Sequence, residues 1–472
     1  MADIILIHPR GEFLERLQKN LYMPLGLLQI SSTLYKDYKV KIIDQRIDKN
    51  WEKNLLKELN QNPICACTTA ITGKQIESAL EISRFIKENF NVPVIWGGVH
   101  PSLEPYSTIK NKYIDFIIEG EGEIIFKELV NALNKNKTLE NIKGLWYKEK
   151  DKIKKGPERK LIDLNKTLSL PYDLIDTSKY FRGKNNEKRF LFETSRGCPK
   201  GCNFCNQNVT KNRSWWVKDA SKVIEEIKFI HDNFKNISII ELVDSNFFFD
   251  YERAKVILNE IKKYGLKLWI PGTEIHSLRN FFRDNNLKLL EDSCSYFGIG
   301  VESGSDKVLN YIKKSLTVKQ AIDFNRKMKN YDITLNYNFM SGFPNETEED
   351  LKMTMNLMLK LINENKNAVA GPVNPVQLLP KTEILETAVR YGLKRPEKLE
   401  DWIKFGASLN NKLDNLPWLD KNRKRLLKSI YYKSLFLNDQ SSYMDSKVIG
   451  KLLNLCKPVI NYNLKNRLLN II

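Results

Sequence analysis

Three cysteines lie close together near the middle of the chain, with a spacing that suits an iron–sulfur cluster. Cys198, Cys202 and Cys205 occur in the run SRGCPKGCNFC. Protein-bound iron–sulfur clusters usually take four cysteine thiolates. Three thiolates on one tight loop would therefore hold three irons of a cuboidal cluster and leave the fourth iron open to a substrate or cofactor.

A structural zinc site is the alternative for this loop. Zinc sites usually have four protein ligands, often from paired CxxC motifs, and no second pair occurs nearby. Cys294 and Cys456 are isolated, and Cys65 and Cys67 lie in an apolar strand-like run. We expect the latter two on opposite sides of that strand, as small buried hydrophobes. The cluster interpretation is favoured.

The CxxxCxxC spacing, with Phe204 just before the last cysteine, resembles the signature of the radical S-adenosylmethionine superfamily. In that superfamily the open iron chelates the amino and carboxylate groups of S-adenosylmethionine, and one-electron cleavage releases a 5′-deoxyadenosyl radical. The resemblance implies a [4Fe-4S] cluster on Cys198, Cys202 and Cys205, with S-adenosylmethionine as the fourth-iron ligand.

Length and composition indicate an ordinary multidomain protein of the cytoplasm. A chain of 472 residues exceeds one typical core, so two or three domains are expected. We expect no signal peptide and no membrane-spanning helix, because no apolar run reaches the required length. Seven cysteines, mostly unclustered, argue against a disulfide framework and for a reducing compartment.

The formal net charge of +19 leaves the class of partner open. Basic runs at 148–160 and 421–425 are compatible with an anionic substrate, a membrane surface or nucleic acid. Most such runs are solvated faces, and we favour that interpretation here.

The first 140 residues alternate apolar runs with amphipathic stretches, which predicts a doubly wound α/β fold with a parallel sheet. A helix is predicted at Ile76–Phe90, and strands are predicted at Asp3–His8, Val40–Asp44, Ile64–Thr69, Val92–Trp96 and Tyr113–Ile118. Ligands of such folds bind at the carboxyl ends of the strands. The dinucleotide fingerprint GxGxxG does not follow the first strand, which disfavours a nicotinamide site.

The loops after these strands resemble the cobalamin-binding domain that is fused to many radical S-adenosylmethionine enzymes. The resemblance rests on PLGLL at 24–28, GGVHPS at 97–102 and EGEGE at 119–123. It implies a corrin site formed by Thr68, Thr69, Gly73, Gly97, Gly98, Val99, Glu119, Gly120, Gly122 and Glu123.

One feature of the related domains is absent from this chain. The DxHxxG motif that supplies a histidine to cobalt does not occur, so we expect no histidine below the metal. His100 is interpreted as a loop-shaping residue rather than a ligand. The alternative is a degenerate domain that keeps the fold and has lost the corrin.

The remaining chain is predicted to contain a linker (141–189), a partial (β/α)6 radical S-adenosylmethionine barrel (190–385) and a helical C-terminal region (386–472). Barrel strands are predicted at Leu191–Ser195, Ile237–Val243, Leu266–Ile270, Tyr296–Val301 and Thr334–Met340, and helices at Lys222–Phe234, Lys424–Phe436 and Lys447–Leu455. Capping boxes at Thr317 and Thr347 support two further helix starts. The C-terminal helices are expected to cover the barrel mouth.

Polar residues follow the barrel strands, where such folds hold ligands. The resemblance implies that S-adenosylmethionine contacts Phe204, Asp244, Ser245, Asn246, Glu302, Met340 and Gly342. No catalytic side chain can be chosen. The stretches VDSNFFFDYERA and GIGVESGSDKVLNYIKK, followed by FMSGFPNETEED, match the cobalamin-fused branch.

The function implied is cobalamin-dependent methylation of an unactivated carbon. Alternatives are radical oxidation, ring formation or carbon–carbon coupling without methyl transfer, then tRNA methylthiolation, which needs three further cysteines in the first domain, and lastly a corrin or iron–sulfur sensor. The substrate stays open between peptide, lipid, tetrapyrrole and small molecule. An external electron donor such as flavodoxin or ferredoxin is expected, DNA is not, and membrane-surface contact is not favoured.

Overall fold

The described residues form two large open sheets with helices packed on their faces, and one two-stranded ribbon. The computed structural model describes residues 2–11, 21–150, 152–181, 188–207 and 213–435. Its strands are β1 Ile4–His8, β2 Val40–Asp44, β3 Cys65–Thr69, β4 Val94–Gly97, β5 Phe116–Ile118, β6 Leu145–Glu149, β7 Lys152–Lys155, β8 Arg189–Phe192, β9 Ser195–Gly197, β10 Trp215–Val217, β11 Ile239–Leu242, β12 Lys267–Thr273, β13 Cys294–Glu302, β14 Thr334–Ser341 and β15 Ala368–Pro375.

The α-helices of the described residues flank these strands. They are α1 Leu25–Ser32, α2 Trp51–Leu59, α3 Lys74–Asn89, α4 Val99–Leu103, α5 Pro105–Ile109, α6 Gly122–Asn134, α7 Ala220–Asn233, α8 Tyr251–Ile261, α9 Arg279–Arg283, α10 Leu287–Ser293, α11 Asp306–Tyr311, α12 Val318–Met328, α13 Glu348–Glu364, α14 Glu383–Arg390, α15 Leu409–Asp414 and α16 Lys421–Leu435. The capping boxes at Thr317 and Thr347 are both formed, at the starts of α12 and α13.

The first sheet has the strand order β2-β1-β3-β4-β5-β6-β7. Strands β1 to β5 pair in parallel, so the loops after β1, β3, β4 and β5 meet at one edge. The hairpin β6–β7 adds to the far side in antiparallel pairing. This hairpin belongs to the segment predicted as a linker, and the division of the chain at residues 140, 189 and 385 stays a prediction.

Cys65 and Cys67 lie on the same face of β3, and the expectation of opposite sides is wrong. Both pack in the cluster that contains Leu6, whereas Ala66 packs in the cluster that contains Ile7. Side chains two positions apart on a strand share a face because the pleat repeats every two residues. Burial raises the pKa of the Cys67 thiol to about 12 and that of Cys65 well above its usual value.

The second sheet is fully parallel and follows the order β8-β11-β12-β13-β14-β15. Strand β15, which the sequence did not predict, contains Gly371, Pro372 and Pro375. Proline is tolerated there because β15 is an edge strand that pairs with β14 alone. The predicted partial barrel of six strands is thereby complete.

The C-terminal helix α16 packs against this edge, and its Arg423 also bonds to the Glu346 carbonyl in the loop after β14. Ser434 Oγ accepts a hydrogen bond from the Val373 backbone N–H (2.9 Å), which would otherwise be an unpaired donor of the edge strand. The helix agrees with the predicted span up to residue 435. The predicted helix Lys447–Leu455 lies outside the described residues. No helix of the described residues is long and apolar enough to cross a membrane.

Candidate functional site

The cysteine loop begins immediately after a short ribbon that leaves the second sheet. Strand β8 ends at Phe192, three residues earlier than predicted, and the chain then pairs β9 with β10 in antiparallel fashion. Gly197 has φ +81°, and a Cβ there would lie 2.1 Å from the Ser214 carbonyl oxygen. Only glycine fits this close approach, and Cys198 follows directly.

Asn203, in the middle of the loop, fixes the loop to the second sheet's helices. Its backbone N–H donates to the Ile312 carbonyl (3.1 Å), its side chain to the Tyr311 carbonyl (2.9 Å), and its own carbonyl accepts from Ile384 (3.2 Å). The sequence showed no role for Asn203. It orients the loop by satisfying three backbone groups that would otherwise be buried unpaired.

The three thiols share one partly exposed environment. Burial raises the pKa of Cys198 and Cys202, and the neighbouring thiol of Cys205 raises both further. The Lys314 ammonium acts in the opposite direction on both thiols, which favours the thiolate that binds iron. Three soft donors from one loop suit an iron–sulfur cluster by their chemistry, and their role as its ligands stays a prediction.

Glu302, at the carboxyl end of β13, pairs with a lysine that the sequence analysis left without a role. Lys314 Nζ lies 2.9 Å from Glu302 Oε1, and both side chains are largely buried. Burial alone would lower the pKa of Lys314, but Glu302 and Cys202 raise it above its usual value. A Cβ at Gly300 would lie 2.3 Å from Glu302 Oε1, so glycine makes room for the pair. A fixed cation and a fixed carboxylate thus stand beside the cysteine loop.

Asp244, at the end of β11, is occupied by protein contacts. Its carboxylate accepts hydrogen bonds from the Thr194 N–H (2.7 Å), the Thr194 hydroxyl (2.5 Å) and the Ser195 hydroxyl (2.5 Å). Arg253 supports the same turn by donating to the Thr194 carbonyl (2.9 Å). Through these contacts Asp244 holds the end of β11 to the start of the cysteine loop. Its predicted contact with S-adenosylmethionine stays a prediction.

The two residues after Asp244 have different surroundings. Ser245 lines the cleft between the two sheets. Asn246 is 1% exposed, and both its amide oxygen and its amide nitrogen lack a hydrogen-bond partner. Unpartnered buried amides are costly in a folded protein, so Asn246 fits a position that a polar ligand completes.

Phe204, within the cysteine loop, lies near the carboxyl end of β14, where Met340 and Gly342 lie. The Phe204 ring is 6.2 Å from that of Phe343, and Phe204 and Met340 pack partly buried against the same hydrophobic cluster. Gly342 has φ +81°, and its carbonyl accepts a hydrogen bond from Trp418 Nε1 (2.9 Å). The C-terminal segment therefore covers this turn, and an adenine contact there stays a prediction.

A cleft of about 300 Å³ separates the loop edge of the first sheet from the cysteine loop. Eight of the ten residues predicted for the corrin site line it: Thr68, Thr69, Gly97, Gly98, Val99, Gly120, Gly122 and Glu123. The opposite wall includes Glu193, Arg196 and Ser245. Gly98 has φ +94°, and a Cβ there would lie 2.3 Å from Thr69 Oγ1, so the close packing of these two loops requires glycine.

The other two predicted corrin residues do not line this cleft. A Cβ at Gly73 would lie 2.4 Å from the Gly406 Cα, so Gly73 serves close packing against the C-terminal segment. Glu119 accepts a hydrogen bond from Trp146 Nε1 (2.8 Å) and pairs with Lys155 (2.8 Å). In the sequence these two positions had the same motif support as the eight residues that line the cleft. Only the packing shows that they lie elsewhere.

Comparisons with known proteins agree with this arrangement of two sheets. A family model described as the radical SAM superfamily matches residues 192–358, and one described as the B12 binding domain matches residues 18–130. An uncharacterised methyltransferase of Pyrococcus horikoshii is 31% identical over 401 residues, covering 83% of this chain and 84% of that protein. The chain belongs to the radical SAM superfamily and carries a B12 binding domain. Its cofactors are a [4Fe-4S] cluster, S-adenosylmethionine and cobalamin.

Two solved structures share the fold of this radical SAM protein. The methyltransferase TsrM of Kitasatospora setae, solved with cobalamin and a [4Fe-4S] cluster, has a TM-score of 0.68 and 18% identity, over 84% of this chain and 76% of that chain. The cobalamin-dependent radical enzyme OxsB, with aqua-cobalamin bound, has a TM-score of 0.71 and 18% identity, over 99% of this chain and 75% of that chain. The predicted fold class is confirmed.

A second cavity of about 540 Å³ lies where the carboxyl edges of the two sheets face each other. His8 and Thr69 border it from the first sheet, and Leu191, Val243 and Pro271 border it from the second. The cavity shares Thr69 and Val243 with the corrin cleft. A molecule in it would therefore lie next to a corrin.

His8 is a functional candidate that the sequence analysis passed over. Its Nδ1 lies 3.1 Å from the Pro9 carbonyl oxygen. Burial, helped by the nearby Arg46, lowers the pKa of His8 to about 4, so the ring is neutral at pH 7. With the Nδ1 proton donated to Pro9, Nε2 is left as an acceptor.

His100 has the contacts of a loop-shaping residue, as interpreted from the sequence. It is fully buried, its Nδ1 lies 3.0 Å from Thr72 Oγ1, and its ring packs edge-on against Trp402 at 5.7 Å. Burial lowers the pKa of His100 to about 3. The ring therefore stays neutral and joins the first sheet's loops to the C-terminal segment.

Proposed function

We propose that this radical SAM protein methylates an unactivated carbon of a small substrate, or of one side chain of a larger one, held in the cavity between the two sheets. The supporting observation is that the cysteine loop, the corrin cleft and the 540 Å³ cavity adjoin one another at the facing sheet edges. When bound, S-adenosylmethionine at the cluster supplies a hydrogen-abstracting radical, and cobalamin supplies the methyl group.

The chain's own residues would bind and orient these groups. The thiolates of Cys198, Cys202 and Cys205 would hold three irons. Lys314 and Glu302 would pair with the carboxylate and amino groups of S-adenosylmethionine, since the two side chains present opposite charges side by side. The Asn246 amide would complete its hydrogen bonds on the same ligand.

The lining of the cavity indicates which acceptors fit. Its titratable lining side chains are His8, Tyr22, Glu193, Glu241 and Asp244, and none of its described lining residues is a lysine or arginine. Neutral imidazole and carboxylates accept hydrogen bonds. An acceptor molecule with amine, amide or hydroxyl donors suits this wall better than a phosphate or carboxylate, although the whole chain is basic.

The decisive experiment is anaerobic purification followed by turnover with deuteromethyl-labelled S-adenosylmethionine and cell extract as the source of acceptor. We expect iron and cobalamin to copurify and a product three mass units heavier than its unlabelled form. Cys202→Ala should lose the product, whereas Cys456→Ala, outside the motif, should keep it. Formation of 5′-deoxyadenosine without label transfer would favour the non-methylating alternatives.

The role of His8 can be tested once the labelled product identifies the acceptor. His8→Phe should raise the KM for the acceptor about tenfold, because one hydrogen bond to a neutral group is removed. Hydroxocobalamin binding should not change. A variant with an unchanged KM would contradict the placement of the acceptor against His8.

We also propose a cytoplasmic location and reduction by a small external protein such as flavodoxin or ferredoxin. The reduced state expected of the cysteine residues supports the location. A chemical reductant that sustains the same turnover rate as reduced flavodoxin or ferredoxin, with the same source of acceptor, would argue against a dedicated protein donor.

A further inference from the structure

Arg196 is bonded to three carboxylates at once, and no role follows for it from the cluster, the corrin or the cavity. Its Nη1 lies 2.7 Å from Glu121 Oε1, its Nη2 2.7 Å from Glu123 Oε1, and its Nε 2.9 Å from Glu193 Oε2. The four side chains are between 6% and 15% exposed. Every nitrogen of the guanidinium is used.

These partners belong to different parts of the molecule. Glu121 and Glu123 lie at the start of α6, in the loop after the last parallel strand of the first sheet. Glu193 follows β8 of the second sheet, and Arg196 is two residues before Cys198. All four residues line the 300 Å³ cleft. The contact therefore joins the corrin-side loop directly to the cysteine loop.

Backbone and side-chain contacts extend the network on both sides. Glu121 Oε2 accepts a hydrogen bond from the Ile162 N–H (2.9 Å), and Glu193 Oε2 accepts one from Gln29 Nε2 (2.7 Å). Gln29 lies on α1, which borders both the cleft and the cavity. A displacement of either loop would thus be transmitted through a short chain of buried polar contacts.

Charge alone does not account for the arrangement. One cation meets three carboxylates, and the Lys218 ammonium also acts on Glu193. A lysine would place one cation at the same position, but it has no planar fork with donors directed to three partners. The shape of the guanidinium is what fixes the three carboxylates relative to one another.

We propose that Arg196 is a positioning residue that couples corrin binding in the cleft to the state of the cysteine loop. The inference rests on the proposed function, since it assigns the corrin to this cleft and the cluster to this loop. Coupling between two binding events is reciprocal and typically amounts to about five-fold or more in affinity. Occupation of one site should therefore strengthen binding at the other, through Arg196.

The test measures this coupling without any acceptor substrate. The affinity for hydroxocobalamin is determined by absorbance, anaerobically, for the full-length protein with and without its reconstituted cluster. We expect the cluster to tighten hydroxocobalamin binding about five-fold or more in the wild type. In Arg196→Lys the two affinities should be equal, with iron content and melting temperature close to wild type.

The matched control is Arg326→Lys. Arg326 is likewise an arginine bonded to a carboxylate. Two of its nitrogens donate to Glu364, at 2.8 and 3.1 Å, and it lies on the exposed face of α12. This variant should keep the wild-type dependence of corrin affinity on the cluster. If Arg196→Lys does not fold, Glu121→Gln and Glu123→Gln each remove one ion pair while leaving two, and each should reduce the coupling.

Spectroscopy of the reduced cluster gives an independent readout that a merely structural role would not move. Cobalamin that the same reductant has already brought to the cobalt(II) state should shift the g values of the S-adenosylmethionine-bound cluster in the wild type and not in Arg196→Lys. The cobalt(II) signal is present in both samples and is subtracted. A wild-type protein that binds no hydroxocobalamin would overturn the proposed function and this inference together. A wild type that binds it with no dependence on the cluster, or an Arg196→Lys variant with wild-type coupling, would overturn this inference alone.

Discussion

Three carboxylates lie near the carboxyl ends of three strands of the second sheet, and the structure gives each a different environment. Asp244 after β11 is bonded to the turn that leads to the cysteine loop. Glu302 at the end of β13 pairs with Lys314 beside Cys202. Glu346 in the loop after β14 is buried beneath the C-terminal segment. Position at a strand end therefore predicts proximity to a ligand site, but the contacts decide between architecture and binding.

The largest effect is expected for Asp244→Ala. Removing the carboxylate leaves the Thr194 N–H and two hydroxyl groups buried without their acceptor, which should lower the free energy of unfolding by about 3–5 kcal/mol. Urea unfolding of the metal-free protein measures this. A variant that kept wild-type stability and lost only S-adenosylmethionine binding would show that Asp244 binds this cofactor rather than stabilising the fold.

Lys314→Met and Glu302→Gln should act mainly on the binding of S-adenosylmethionine rather than on stability. Each removes one charge that we place against S-adenosylmethionine, and the KM for S-adenosylmethionine should rise about 10- to 100-fold, which corresponds to about 1.4–2.8 kcal/mol. Loss of a charge-assisted contact accounts for an effect of this size. The readout is 5′-deoxyadenosine formation at saturating reductant. An unchanged KM in both variants would contradict the assignment of Glu302 and Lys314 to S-adenosylmethionine binding.

The smallest effect is expected at Glu346, where the free energy of unfolding should depend on pH. Burial raises the pKa of its carboxyl to about 7, and the Gly342 N–H donates to its Oε2 at 2.7 Å. The folded state therefore binds a proton more tightly than the unfolded chain. The stability that this proton contributes is complete below the unfolded pKa of about 4.5 and is lost as the pH rises through 7.

Glu346→Gln mimics the protonated carboxyl and should remove this loss. We expect the variant to match wild-type stability at pH 5 and to exceed it by about 1–2 kcal/mol at pH 8, as measured by urea unfolding at the two pH values. The control is Glu348→Gln at the exposed first residue of α13, which should have the same stability as the wild type at both pH values. Equal stability of Glu346→Gln and wild type at both pH values would contradict the burial argument.

The first sheet shows how far glycine patterns carry a prediction. Gly98 was singled out from its sequence context and does border the cleft, although the contact that demands glycine there is with Thr69 of the same chain. Gly73 followed the same logic and faces Gly406 instead. A glycine signals close approach of something, and the sequence does not say whether that is a ligand or another part of the chain.

The strands follow a similar rule. Strands β1 to β4 and β11 to β14 were predicted from apolar runs to within about three residues, since buried parallel strands are continuous and apolar. Strand β15 was missed because its glycine and prolines are typical of loops, and it exists as an edge strand that α16 covers. Cys65 and Cys67 were misplaced for a simpler reason, since the two-residue period of a strand puts them on one face.

The cysteine spacing by itself indicated an iron–sulfur cluster with one open iron, because three thiolates on one short loop are a local property of the chain. The family also followed from local motifs, and the comparisons confirm it. Only the tertiary structure decided which polar residues stand together, as in the contacts of Arg196 with Glu121 and Glu123, which are more than 70 positions away. Such pairs depend on how two sheets face each other, and no local pattern encodes that geometry.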